Sequence, residues 1–178
     1  MNGSTHTLSD ARRCFPWRGN AVLQGWLGKG LAAAEHASTG TGDHYKLTIG
    51  QVVHLGLCDQ LSIIGAFNRP DDLSISLGPD GCFCLHHTDA PQRVIDYCET
   101  NDFNVIVIVE CRYVGVDYRD SRSKRERITY SAAFINRQAL GTEVDAWQRA
   151  STESGFTRVF IDVGKIHEHV MSAIREGS

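Results

Sequence analysis

Asn20-Ala21-Val22-Leu23-Gln24-Gly25-Trp26-Leu27-Gly28-Lys29 is the stretch on which the fold turns. Its apolar residues Val22, Leu23, Trp26 and Leu27 recur at helical spacing, and Gln24 and Lys29 point away from them. Asn20 is a candidate cap at its start, and Gly30 can end it by adopting a left-handed backbone, with Leu31 turning back toward the core. Before it, Leu8-Ser9-Asp10-Ala11-Arg12-Arg13-Cys14-Phe15 predicts a shorter helix capped by Ser9, with Leu8, Ala11 and Phe15 near one face. The two are separated by a tight break, Pro16-Trp17-Arg18-Gly19. After them, Gly40 and Gly42 permit the positive φ of a hairpin, whose returning arm carries His44, Tyr45 and Lys46. A third helix opens at Thr48, with Gln51 three residues on completing a capping box. Val52, Val53, Leu55, Gly56, Leu57, Leu61 and Ile64 give that helix an apolar stripe to pack under the first two.

Helix, turn, helix, hairpin, helix is the order of a winged helix-turn-helix, a scaffold whose short second helix fits the DNA major groove. Three stretches sharpen this: Leu23-Gln24-Gly25-Trp26-Leu27-Gly28-Lys29-Gly30-Leu31, Gly42-Asp43-His44-Tyr45, and Ile49-Gly50-Gln51-Val52-Val53-His54-Leu55. Together they resemble the DNA-binding domain of the MerR family over roughly residues 7 to 66. The resemblance implies a recognition helix ending in an aromatic and Gly-Leu, a wing, and a following helix. The pattern departs from the family where arginines usually precede the aromatic, since Gln24 and Gly25 stand there, and at the wing arginine, replaced by Asp43 or His44. Each loss removes a potential bidentate phosphate contact. Gly25 and Gly28 also weaken the helix by about 1 kcal/mol each relative to alanine.

Charge is distributed unevenly. Residues 1–70 carry six basic and four acidic side chains, net +2, against −3 for the whole chain. A mildly basic front on an acidic back suits local DNA contact and argues against a protein that coats nucleic acid indiscriminately. Apolar content of 42% and charged content of 22% are those of a soluble globular chain. No apolar run approaches a bilayer span and no secretory segment is apparent, so a cytoplasmic location is expected, with the cysteines as reduced thiols.

Beyond residue 70 the pattern changes. Leu73, Ile75 and Leu77 alternate with polar residues, Pro79-Asp80-Gly81 marks a turn, and Cys82-Phe83-Cys84-Leu85-His86 reads as the hairpin mate. Residues 90–100 look helical. The run Val105-Ile106-Val107-Ile108-Val109 predicts a strand buried on both faces. Arg119 to Arg127 reads as an exposed, charged hairpin tip, Ile128 to Ile135 and Arg158 to Val163 as strands, Val144 to Arg149 as a short helix, and Lys165 to Arg175 as a closing helix with Ile166, Val170, Met171 and Ile174 inward. The expected class is therefore α+β: a mainly helical winged unit in residues 1–70, and a small mixed domain with an antiparallel or mixed sheet in residues 71–178. No sustained heptad follows residue 66, so a dimer would form through the second domain.

Chemistry is sparse. Cys82, Cys84 and His86 share one strand face and, with His87 or Cys111, are candidate metal ligands, but such a face is ordinarily structural. His167 and His169 lack the i, i+4 spacing of a metal-binding helix and read as solvated. There is no P-loop, no G-x-S-x-G and no dinucleotide fingerprint, so neither an enzyme nor a cofactor is expected. The expected function is a DNA-binding transcriptional regulator acting as a dimer on double-stranded DNA. Arg18, Asn20 and Gln24 would lie nearest the base edges, with Lys29, His44, Tyr45 and Lys46 on phosphates. The alternatives are a phage packaging or recombination accessory protein and a protein-interaction module that does not bind DNA.

Overall fold

The computed structural model describes residues 6–28, 35–37, 44–64, 73–76, 82–84, 104–117, 125–141 and 156–177. Helix α1 spans Leu8–Cys14. Its cap is Thr7 rather than Ser9: the Thr7 hydroxyl accepts from the Asp10 backbone N–H at 3.2 Å, and the Asp10 carboxylate accepts from the Thr7 backbone N–H at 2.8 Å. Both residues could serve as caps by type. Thr7 has an acid three residues on to complete the box, and its neighbour His6 is fixed by paired backbone bonds to Leu47, 2.8 Å each way. The same bond from Thr7 holds the Asp10 carboxyl below the usual carboxylate range.

The chain turns at Phe15–Arg18, closed by the Arg18 N–H on the Phe15 carbonyl at 2.9 Å. Helix α2 spans Asn20–Gly28. The Gly19 carbonyl accepts from Val22 and Leu23, so Gly19 holds the cap position and Asn20 already lies inside the helix. Strands β1 (Glu35–Ala37) and β2 (His44–Lys46) form a two-stranded antiparallel hairpin in which His36 faces Tyr45. Helix α3, Ile49–Ile63, opens with the expected Thr48–Gln51 capping box.

Helix α3 is not the one-sided stripe that its apolar spacing suggests. Every residue from Gly50 to Asp59 is buried, and Leu61 with them. The cover on its second side comes from about a hundred residues further along the chain. Helix α4, Val163–Glu176, packs against both α1 and α3. It is capped by Asp162, whose carboxylate accepts from the Lys165 N–H at 3.2 Å. Val163 and Val170 are fully buried, and Ile166, Ala173 and Ile174 pack against the same cluster. A helix covered all round is apolar on nearly every side, and the polar exceptions here are Gln51, His54 and Asp59.

The remaining strands form a five-stranded sheet in the order β4-β3-β6-β5-β7. They are β3 (Leu73–Ser76), β4 (Cys82–Cys84), β5 (Val105–Asp117), β6 (Arg125–Asn136) and β7 (Phe156–Asp162). Strand β3 runs parallel to β6 and the other pairings are antiparallel, so the sheet is mixed. The β5–β6 ladder runs from Val105↔Asn136 to Asp117↔Arg125, with a register shift between Tyr113 and Gly115. The continuous run in β5 is buried on both faces as expected, because Ile106, Val107, Ile108 and Val109 alternate sides and all four are buried.

The fold is thus mixed α+β. One hydrophobic cluster joins Ala11, Phe15, Leu27 and Leu57 from the front helices to Val107, Val109 and Ile161 from the sheet and Val170 from α4. Residues 1–70 and 71–178 share it. Of the expected elements, the helices at 90–100 and 144–149, the Pro79–Gly81 turn, the glycines of the first hairpin turn, the stop at Gly30 and Leu31, and residues 119–124 of the charged tip lie outside the described residues, while 125–127 of that tip open strand β6. No described helix is long and apolar enough to cross a membrane.

Candidate nucleic-acid interface

Helix α2 is held by two apolar residues and one polar cluster. Leu23 and Leu27, four apart, are buried, and Trp26 packs half-buried against the core. Asn20, Ala21, Val22 and Gln24 are exposed, with Val22 at 40%. The outward face of α2 therefore presents two apolar and two amide side chains, and its first turn carries no acidic residue.

The polar cluster ties the start of α2 to α3. Asp59 is 1% exposed. Its carboxylate accepts a charge-assisted hydrogen bond from Arg18 Nε and longer ones from Trp17 Nε1 at 3.2 and 3.3 Å. Arg18 Nη2 donates to Ser62 Oγ at 2.7 Å, and Ser62 Oγ donates in turn to the Asp59 carbonyl at 2.8 Å. The Arg18 guanidinium also lies 5.7 Å from the centroid of the Trp26 ring, within cation–π range. A buried carboxylate is tolerated only when paired and hydrogen-bonded, and here both conditions hold.

The structure separates the expected contact residues. Asn20 and Gln24 stand exposed on α2, and Lys46 is exposed at the end of β2. Tyr45 is half-buried and packed against the core. Arg18 is bonded to Asp59 and Ser62, an arrangement that orients the turn before α2. His44 lies on the backbone of β2, and Lys29 lies outside the described residues. Of the metal candidates, Cys82 and Cys84 stand two apart on β4, at one end of the strand order, and His86 lies outside the described residues. Among the described residues no group of three metal-ligating side chains comes together.

Buried thiols behave as core. Cys14 and Cys58 are fully buried; burial raises the Cys14 thiol to about 11 and pushes Cys58 up further. Such thiols stay protonated and are poor nucleophiles at neutral pH. His169 is not simply solvated: its Nε2 donates to the Cys14 carbonyl at 2.7 Å, tying α4 to the end of α1. Burial lowers the pKa of His167.

Sequence reasoning missed the Asp59 cluster. The signal was an aspartate inside an otherwise buried apolar helix, a pattern that demands a partner. Its partners, Trp17 and Arg18, sit more than forty residues away in a turn that looked like mere punctuation. No protein-family model matches the chain, and no curated protein matches its sequence.

Proposed function

We propose that the chain is a DNA-binding transcriptional regulator of the MerR-like winged-helix type, which enters the major groove with α2 and lays the β1–β2 hairpin along the backbone. The observation that carries this reading is the state of α2. Its inner face is pinned by Leu23, Leu27 and the Arg18–Asp59 cluster, and its outer face leaves Asn20 and Gln24 in solvent. Among the described residues that face stays open, with Asn20, Ala21, Val22 and Gln24 all exposed and no acidic side chain in the first turn of α2. Asparagine and glutamine suit adenine, whose N6 and N7 offer a donor and an acceptor side by side. Lys46, His44 and Tyr45 on the hairpin, and Lys29 after α2, supply the phosphate side of the interface. Arg18 acts as a positioning residue that fixes the angle of α2.

Residues 71–178 serve as the dimerising or signal-receiving domain of a cytoplasmic protein. Two linked copies give a short reading helix the affinity that it lacks alone. The test is fluorescence anisotropy with genomic DNA fragments at two salt concentrations, alongside light scattering for subunit number. Tight binding to a subset of fragments, weakening by a log–log slope of roughly −0.9 per phosphate contact, supports the reading. Absent or salt-insensitive binding overturns it. Charge reversal at Lys46 that spares a protein complex but leaves DNA binding untouched moves the interface off the hairpin.

A further inference from the structure

Where the α1–α2 turn, α3, the end of β7 and the first turns of α4 meet, they enclose a groove of about 460 Å³. That volume falls in the range of small-molecule sites. Two of the large apolar side chains that the described surface leaves in water, Trp17 at 57% exposed and Phe160 at 50%, line this one groove. The Trp17 ring stands 6.1 Å from Phe15 at 74° and 6.0 Å from His169 at 31°, and His169 is itself anchored on the Cys14 carbonyl. The aromatic wall is thus held in place before any ligand arrives.

The charges at the groove favour an anion. Asp162 is already neutralised by Arg137 and caps α4. Lys165 is exposed at the rim, and among the described residues no carboxylate pairs with its ammonium. A cationic guest would meet that ammonium, while Asp162, the carboxylate among the described lining residues, is taken up by Arg137.

We propose that this groove binds a planar aromatic carboxylate, its ring against Trp17 and its carboxylate on Lys165, and that occupation is felt at α2. The connection is continuous. Trp17 Nε1 donates to Asp59, Asp59 accepts from Arg18, and the Arg18 guanidinium rests over Trp26 in α2. A ring settling on Trp17 therefore bears on the cluster that sets the start of α2. The inference stands whether or not α2 reads DNA, because both of its readouts are made on the protein alone.

The probe is 2-naphthoate, titrated into the full chain and followed by the indole N–H resonance of Trp17, which Trp17→Phe assigns. The neutral 2-naphthamide and the cationic 2-naphthylmethylamine are titrated in parallel. Hydrogen exchange across α2 is measured with and without 2-naphthoate. The expected results are a saturable shift at Trp17, weaker binding of the amide and the amine, slower exchange in α2, and a loss of about fivefold in affinity on Lys165→Gln, the scale of one exposed ion pair. Lys165 is exposed, and an unchanged spectrum confirms that the variant folds. An unmoved Trp17 signal at millimolar probe overturns the site. So does equal binding of the amine, or indifference to Lys165→Gln. Saturable binding with unaltered exchange in α2 overturns the connection and with it the proposal as stated.

Discussion

Replacing a glycine by alanine adds one methyl group, and at positions 25 and 56 that same change is expected to move stability in opposite directions. Both residues lie inside helices, α2 and α3. Alanine is favoured over glycine in a helix interior by about 0.8–1 kcal/mol, because the unfolded chain has less freedom to lose. At Gly25 a Cβ would meet nothing within 4 Å, so Gly25→Ala should keep the whole gain. That corresponds to a rise in Tm of roughly 2–4 °C for a chain of this size. At Gly56 a Cβ would fall well inside contact with Ile166 Cγ2, and 3.0 and 3.2 Å from Phe15 Cζ and Cε1. Neither neighbour yields easily: isoleucine in a helix holds one χ1 rotamer, and Phe15 is buried. Overpacking of this kind costs about 1–3 kcal/mol, which outweighs the helix gain and leaves a net loss of about 1–2 kcal/mol. Thermal and urea unfolding of the two variants read the signs directly. Repeating Gly56→Ala in an Ile166→Ala background should shrink the loss, since the closest clashing methyl is gone and only the milder contact with Phe15 remains. If Gly56→Ala raises Tm as Gly25→Ala does, α4 does not lie on α3 where the structure puts it, and the shared core collapses as an explanation.

Acid should find His54. Its ring is fully buried in α3, neither nitrogen has a hydrogen-bond partner among the described residues, and burial depresses its pKa from 6.5 to about 4. The unfolded chain then binds more protons than the folded one between those values, so stability is full above about pH 6.5 and falls as pH drops toward 4, by up to about 3 kcal/mol. His54→Leu should flatten that part of the urea-midpoint profile, and an unchanged slope would show that the ring is hydrated or paired. Arg18→Met should cost about 2–3 kcal/mol, less than for a fully buried pair because Arg18 is partly exposed, since it strands the Asp59 carboxylate. The double variant Arg18→Met/Asp59→Leu should cost less than the sum of the single changes, and strict additivity would dissolve the cluster. For the proposed DNA contacts, Gln24→Ala should erode discrimination at one base pair by about 1–3 kcal/mol, whereas Lys46→Glu should weaken all sequences alike; the reverse pattern in competition anisotropy would exchange their roles.

The elements that sequence made legible are those fixed by neighbours in the chain. Thr48 and Gln51 announce α3 because both halves of a capping box lie within one turn, and the β5 run declares its burial because five consecutive apolar residues allow no solvent face. Thr7 escaped notice because choosing between two hydroxyls two residues apart turns in part on His6 pairing with Leu47, some forty residues on. The sheet order was out of reach for the same reason: nothing local tells β3 to run parallel to β6. On the candidate interface, exposure of Asn20, Gln24 and Lys46 follows from helical and strand spacing, so it was readable. The engagement of Arg18 was not, because its partner is set by how α3 lies against the turn. The groove was invisible altogether, since its walls come from three separate stretches of chain.

That α4 closes over α3 sets a timetable on the ribosome. The first three helices emerge about a hundred residues ahead of their lid, and at roughly 5–20 residues per second translation leaves that oily shaft bare for about 5–20 s. Nascent chains stalled in that interval should be the ones that chaperones grip and that clump when chaperones are scarce.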